Sequence, residues 1–380
     1  MKQNIGVIFG GRSVEHEVSI ITGLQILENI DKSKYEVIPI YIDKEGYWYY
    51  GDKLNDILIF KDWNKNKKKI KSFVPNLDKK DKKNILNKCG VIVIAMHGNY
   101  GEDGKLQGFL EFIDIPYTSS GVVGAATGMD KIVMKKIFEG LSLPILPYLW
   151  FYKYEWHNNM SEIINKVKWT LEYPVFVKPA NLGSSIGISV AENEDDLIRA
   201  IEVAIRYDNR IIIEKGLIDS IDINCSVLSR GGEILVSLLE EPIKWETFLS
   251  FNDKYINEIS KNGMAGMKRK IPADIPSELT KKIEEYSREI YKTMHCNGVV
   301  RIDYLISHNK QEVFVNEINT VPGSLSFYLW EYSDIKFSEL IDILIKEAIR
   351  INEDKKNQIE SFNSSILNKF GGNKNRKGKN

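Results

Sequence analysis

The stretch from Arg301 to Gly323 restricts the fold of this chain more than any other. Two β-rich apolar runs flank the polar cluster Ser307 to Gln311, a pattern that predicts a hairpin. Residues two apart on a strand share a face, so Arg301 goes with Asp303 and Glu317 with Asn319. If both pairs lie on one face, two carboxylates and an amide oxygen gather beside a guanidinium. Such a set suits a hard cation that also holds phosphate oxygens, the usual setting of nucleotide-bound magnesium. The residues alone leave a second reading open, a hairpin whose polar face is simply solvated. Val321-Pro-Gly323 then ends the second strand and offers backbone amides that could cradle an anion.

With 380 residues the chain can bury a large core and divide into two or three domains. Its 52 basic and 52 acidic residues cancel, so no global field points to nucleic acid or membrane. Cys89, Cys225 and Cys296 are widely spaced and form neither a disulfide framework nor a zinc motif, and a reducing cytoplasm is expected. No apolar run reaches membrane-spanning length, and the N-terminal run is too short for a signal peptide.

From the start, Ile5 to Phe9 predicts a buried strand, Gly10 to Ser13 a turn, and Val14 to Ile30 a helix capped by Ser13. Glu15 and Glu17 fall in its first turn, where the helix dipole favours acids, so capping is a sufficient structural reason for one of them, and a functional role for Glu15 stays open beside it. Further strands are expected at Lys34 to Ile42, Gly46 to Tyr50 and Cys89 to Met96, with a solvated Lys-rich connection from Lys61 to Lys83. Ligands of open α/β sheets bind beyond strand ends, which makes His97 to Gly104 a candidate substrate wall. His97 as a packed, hydrogen-bonded residue is the alternative. Alternating strands and helices over residues 1–128 predict a doubly wound parallel-sheet domain.

A second unit opens at Met129-Asp-Lys131 with a helix to Glu139. A strand then delivers Lys178, and the loop Gly183-Ser-Ser185 could close backbone amides over phosphates; it lacks the ending of a Walker loop and could also be a plain hairpin. Asn209 to Leu217 reads as a strand ending in Glu214-Lys215, an exit where adenine could find hydrogen bonds. The irregular segment from Glu240 to Pro272 carries Trp245, Phe248, Phe251, Lys254 and Tyr255 and is expected to act as a lid. Helices are expected at Ile275 to Thr293 and Ile335 to Ile351, and a polar tail at 353–380.

Taken in order, Phe9 to Ser19, His97 to Gly104, Met129-Asp-Lys131, Val177-Lys-Pro179 with Gly183-Ser-Ser185, Glu214-Lys215, and Arg301-Ile-Asp303 with Asn316 to Thr320 resemble the D-alanine–D-alanine ligases of the ATP-grasp superfamily, over nearly the whole chain to about residue 350. The resemblance implies an α/β, three-domain ATP-grasp fold, with an N-terminal substrate domain at 1–128, a central subdomain at 129–213 and a C-terminal one at 214–352. It also implies ATP-dependent joining of two D-alanines through an acylphosphate, for peptidoglycan precursor synthesis.

By the same likeness, Lys131, Lys178 and Lys254 neutralise the phosphates, and Glu214, Lys215, Leu217 and Asp222 hold the adenosine side. Asp303, Glu317 and Asn319 hold Mg2+ or Mn2+. Arg301 and the Gly323 amide face the oxyanion, and Glu15 binds the first ammonium while joining Ser184 and Tyr255. His97, Tyr328 and Leu329 line the substrates. The implied partners are ATP and D-alanine, with a homodimer also compatible. The chain departs from the family where Ser324-Leu-Ser-Phe-Tyr-Leu-Trp-Glu331 replaces a Ser-His-Ser-Leu-like run, setting Tyr328 where a family serine helps bind the acceptor's carboxylate. A D-serine or other amino-acid acceptor therefore stays open, as does a nucleotide-binding regulator without catalysis.

Overall fold

A computed structural model describes residues 2–183, 186–243, 269–359 and five residues between 361 and 367. The expected lid residues Trp245, Phe248, Phe251, Lys254 and Tyr255, the hydroxyl of Ser184 and most of the tail lie outside them.

The first sheet has the order β4-β3-β2-β1-β5. Its strands are β1 (Gln3–Gly10), β2 (Tyr35–Ile42), β3 (Trp48–Tyr50), β4 (Lys71–Phe73) and β5 (Val91–Ile94). Only β1, β2 and β5 run parallel; β3 and β4 are antiparallel additions. The parallel core expected from the sequence is thus extended by an antiparallel pair, because residues 43–47 are too few for a crossover and turn the chain straight back. The Lys-rich connection likewise contributes the edge strand β4, pinned by the buried Ile70.

Helix α1 (His16–Asn29) covers this sheet. It begins two residues later than expected: Glu15 is the N-cap, and Ser13 accepts the Glu15 N–H at 3.1 Å instead of capping the helix. Helices α2 (Lys105–Phe112) and α3 (Val122–Met129) follow, and α4 (Lys131–Gly140) is capped by Asp130, whose carboxylate accepts from Ile132 and Val133. Asp130 thus has a structural task, reinforced by the Arg210 guanidinium.

The second sheet, β6-β9-β7-β8, is antiparallel throughout: β6 (Tyr148–Tyr152), β7 (Val175–Pro179), β8 (Ser189–Ala191) and β9 (Arg210–Lys215). Strand β9 continues past residue 213 and belongs wholly to this sheet. Helices α5 (Lys153–Thr170) and α6 (Glu194–Ala204) bury one of its faces with Trp156, Val167, Leu197 and Ile201.

The third sheet contains β10 (Ile221–Arg230) and β11 (Glu233–Val236), followed after the short pair β12 (Glu241–Pro242) and β13 (Arg269–Lys270) by β14 (Val299–Ile306) and β15 (Val313–Asn319). Its order is β11-β10-β14-β15. Helix α7 (Ser277–Thr293) packs Ile283 and Ile290 against Ile302 and Tyr304, together with Met134 and Phe138 from α4. Burying side chains of this size contributes about 1.5–3 kcal/mol each.

Helix α4 bridges the two later sheets, because its Ile132 packs on Ala180 and Ile212 while Met134 and Phe138 enter the third core. The short helix α8 (Phe327–Glu331) precedes the closing helix α9 (Phe337–Lys356), which joins the first core through Leu340, Leu344 and Ile345. Among the described residues no helix is long and apolar enough to cross a membrane.

Candidate active site

Alternation along the strands gives each later sheet, opposite its apolar core face, a second face that carries charged and polar side chains, most of them largely buried. On the third sheet Arg301 pairs with Asn319 and Asp303 with Glu317, so the four residues of the hairpin do share a face. Across β10, Asn224 stands opposite Asp303 and Asp222 one step further along the same face. A bulge follows Asp303, a distortion that commonly re-aims side chains beside active sites.

The Arg301 guanidinium grips Asp303 with two bonds, Nε to Oδ1 at 2.6 Å and a terminal nitrogen to Oδ2 at 2.7 Å. Burial works against the Arg301 charge, but Asp303 more than compensates and holds it firmly protonated. Asn319 Nδ2 donates to Asp303 Oδ2 at 3.0 Å, leaving its amide oxygen as the group available to a cation. Two cross-strand carboxylates and an amide oxygen are all hard donors, so the set fits magnesium shared with phosphate oxygens. Among the described residues there is no cluster of three His, Cys, Asp or Glu that would form an all-protein metal cage.

Facing this acidic pair is a group of lysines. Lys131 lies 3.3 Å from Glu317 Oε2 and donates to Leu182 O at 3.0 Å. On the second sheet Lys178 contacts Glu214 Oε2 at 2.7 Å, and Lys135, one turn after Lys131, contacts Glu214 Oε1 at 3.3 Å. Burial raises the Glu214 carboxyl, but the two ammonium groups outweigh it and keep it ionised. Lys135 is the more deeply buried lysine, and desolvation lowers it. Three lysines against two glutamates give a site suited to polyanionic phosphates. Phe176, on the face of Lys178 and opposite Glu214, offers a ring beside them.

Lys215 falls on the other side of β9, where alternation sends its side chain to Glu172 at 3.1 Å, so only its backbone lies at the strand exit. Leu217 is half-buried just beyond.

The first-substrate end is built on α1. Glu15 is buried, whereas Glu17 is exposed and pairs with Lys44, which separates the two acids the sequence left ambiguous. A Cβ at Gly183 would come within 2.7 Å of Glu15 Oε2, and one at Gly98 would overlap the same oxygen, so both loops close on this carboxylate through glycine.

His97 takes the packed alternative. Its Nδ1 meets Val321 O at 2.8 Å and its Nε2 meets Thr22 Oγ1 at 2.7 Å. A carbonyl can only accept, so Nδ1 carries the proton and Thr22 donates to Nε2. Desolvation lowers the His97 pKa to about 4. The unfolded histidine binds its proton first as pH falls below about 6.5, so stability at neutral pH is lost on acidification. Between pH 7 and pH 5 this amounts to roughly 2 kcal/mol, and His97→Asn should flatten that part of the thermal midpoint against pH. An unchanged slope would contradict a neutral, buried His97.

Glu102, which lies within the His97 to Gly104 stretch but is not singled out there, accepts from Val321 N at 2.9 Å and Gly98 N at 2.7 Å. Burial and the nearby Glu15 raise its pKa to about 8. Beyond Gly323, Ser324, Leu325 and Ser326 all adopt left-handed backbone, with φ of 54°, 52° and 49°. Conformations of this kind cost roughly 1–3 kcal/mol per residue and persist where surrounding contacts impose them. They swing α8 inward so that Tyr328 and Leu329 are buried. The Arg269 guanidinium lies 3.8 Å over the Tyr328 ring and 3.0 Å from Glu240, which Asn224 holds from its other side. Sequence reasoning misses Thr22, Glu102, Lys135, Phe176 and Arg269. Thr22 has a signal, since Glu15, Ser19 and Thr22 recur at helical spacing as a polar stripe on an apolar helix.

A doubly wound unit followed by two antiparallel α/β units, with facing polar sheets joined by a lysine-bearing helix, is the ATP-grasp architecture. Residues 4–120 match the family described as D-ala D-ala ligase N-terminus, and residues 137–346 that described as D-ala D-ala ligase C-terminus. The D-alanine–D-alanine ligase of Thermosipho africanus is 39% identical over 370 residues, covering 96% of this chain and 98% of the relative. That of Caldicellulosiruptor bescii is 40% identical over 367 residues, covering 93% and 97%. Among solved structures, the D-alanine-D-alanine ligase from Coxiella burnetii superposes with a TM-score of 0.78 at 26% identity, covering 97% of this chain and 98% of that one. The VanG D-Ala:D-Ser ligase from Enterococcus faecalis gives 0.76 at 29%, covering 92% and 100%. The chain belongs to the D-alanine–D-alanine ligase family and is an enzyme of that kind.

Proposed function

We propose that this enzyme joins two D-alanines to D-alanyl-D-alanine at the cost of ATP, supplying the dipeptide for peptidoglycan. The observation that carries the site assignment is the meeting of Lys131 with Glu317 of the Asp303–Glu317 pair, beside Lys135 and Lys178, which hold Glu214 and feel the charge of Glu317. The ATP phosphates lie against Lys131 and Lys178, with Lys254 as a third cation from the segment outside the described residues. Phe176, Glu214, the Lys215 backbone, Leu217 and Asp222 take the adenosine. Asp303, Glu317 and Asn319 would hold Mg2+, or Mn2+, which would supply charge neutralisation for the transferring phosphoryl group.

Glu15 binds the ammonium of the first D-alanine, joined by Ser184 and Tyr255. That substrate's carboxylate oxygen attacks the terminal phosphorus, ADP leaves, and an acylphosphate results. The amine of the second D-alanine then attacks the acyl carbon, Arg301 and the Gly323 N–H stabilise the oxyanion, and phosphate departs as the carbonyl re-forms. His97 belongs to the wall behind the first substrate, and Tyr328 and Leu329 line the acceptor. Three free, buried cysteines agree with a cytoplasmic setting, where ATP is available.

Purified protein with ATP, magnesium and D-alanine should release ADP and form a product of the mass of D-alanyl-D-alanine. A second acceptor is favoured by one feature: the buried Tyr328, under the Arg269 guanidinium, brings a hydroxyl to the acceptor side, which can serve an acceptor with one more polar group, such as D-serine. Turnover with D-serine and none with D-alanine alone would move the assignment to that reaction. No ADP release with any amino acid would favour the non-catalytic reading.

A further inference from the structure

Between the ammonium end of the site and its oxyanion end runs a continuous buried network. Val321 is held at both of its backbone groups by the loop of residues 97–102: its N–H by Glu102 Oε1 at 2.9 Å and its carbonyl by His97 Nδ1 at 2.8 Å. Three residues on, the Ser324 N–H donates to Thr22 Oγ1 at 3.1 Å, and the same hydroxyl donates to His97 Nε2 at 2.7 Å. Only Pro322 and Gly323 lie between the two anchors. Proline has no N–H and a nearly fixed φ, so the amide that remains is that of Gly323. At the other end Glu102 Oε2 accepts from Gly98 N at 2.7 Å, and Gly98 is the residue whose bare Cα lets the loop lie against Glu15. Thr22 sits seven residues along α1 from its N-cap Glu15, so the rigid first two turns of the helix fix their separation.

We infer that Thr22, His97 and Glu102 form a positioning clasp that sets the Gly323 amide at a fixed distance from the Glu15 carboxylate. None of the three needs to touch the reacting atoms. The clasp imposes the left-handed turn at Ser324 to Ser326, and so determines where the oxyanion donor stands relative to the first substrate's ammonium. The inference rests on the assignment of Gly323 and Glu15 under the proposed function.

The test uses the full chain with Thr22→Val, which removes the hydroxyl at nearly constant volume, Thr22→Ser, which keeps it, and Glu102→Gln, in which one side-chain oxygen cannot serve both N–H groups. Hydrogen exchange of the segment 319–326 is measured without substrates. It should quicken in Thr22→Val and Glu102→Gln and stay slow in Thr22→Ser, while the second sheet is unaffected. Displacements on the ångström scale cost about 100-fold, so kcat with both amino-acid substrates should fall by about 10- to 100-fold in the first two variants at unchanged KM for ATP. Thr22→Ser should recover most of it. Unchanged exchange would overturn the clasp whatever the substrate. Quickened exchange with unchanged kcat, or a kcat loss matched by loss of ATP binding and of thermal midpoint, would reduce it to ordinary structural support. Failure of the wild type to form dipeptide would instead count against the substrate assignment, since exchange is read without turnover.

Discussion

Glu317→Gln is expected to lower ADP release by about 10³-fold while leaving the fold intact. Glutamine has the same shape and keeps the cross-strand packing against Asp303, so β14 and β15 have no reason to separate. What it removes is one of the two anionic ligands proposed for a hard cation and the charge that Lys131 faces at 3.3 Å. A bound magnesium contributes several kcal/mol of transition-state charge stabilisation, and each 1.36 kcal/mol is tenfold in rate, so loss of most of that contribution gives the stated factor. The magnesium concentration needed for half-maximal activity should rise in parallel. Wild-type turnover in this variant would remove Glu317 from the metal site.

Arg301→Met is expected to lose both activity and stability, for separable reasons. Removing a donor to a developing oxyanion costs about 10²- to 10³-fold in kcat. In addition, the Asp303 carboxylate loses its two-bond partner on a largely buried face, and breaking such a pair costs roughly 3–5 kcal/mol. Arg301→Lys separates the effects: the charge remains, but a single ammonium cannot reproduce the planar fork. Thermal unfolding should therefore recover in part with lysine while kcat stays low. A methionine variant with native turnover would exclude Arg301 from the chemistry.

Much of the site is legible in the sequence because it is written on strands. Period-two alternation by itself puts Arg301 with Asp303 and Glu317 with Asn319, and the hairpin register then brings the two pairs together. The same rule, applied to β9, separates Glu214 from Lys215, which the motif by itself treats as one unit. The helices are less transparent. Lys135 looks like any surface lysine until α4 is wedged between two sheets, and Thr22 looks like a neutral helix residue until His97 is laid against it. Glu15 and Glu17 are equivalent acids by their place at a helix start; the family resemblance singles out Glu15, and burial separates the two physically.

The sequence by itself therefore determined the class of fold, the order of its parts and the hairpin that carries the proposed metal-binding face, because local propensity and alternation act over a few residues and need no partner. It also carried the family resemblance, since the motifs appear in a fixed order. Tertiary structure alone decided which polar residues meet across large separations. Val321 reaches Glu102 and His97 over more than two hundred positions, and Ser324 reaches Thr22 over three hundred. Contacts of that kind follow from how whole sheets pack, where burial rather than periodicity selects which hydroxyl, imidazole or carboxylate meets each backbone group.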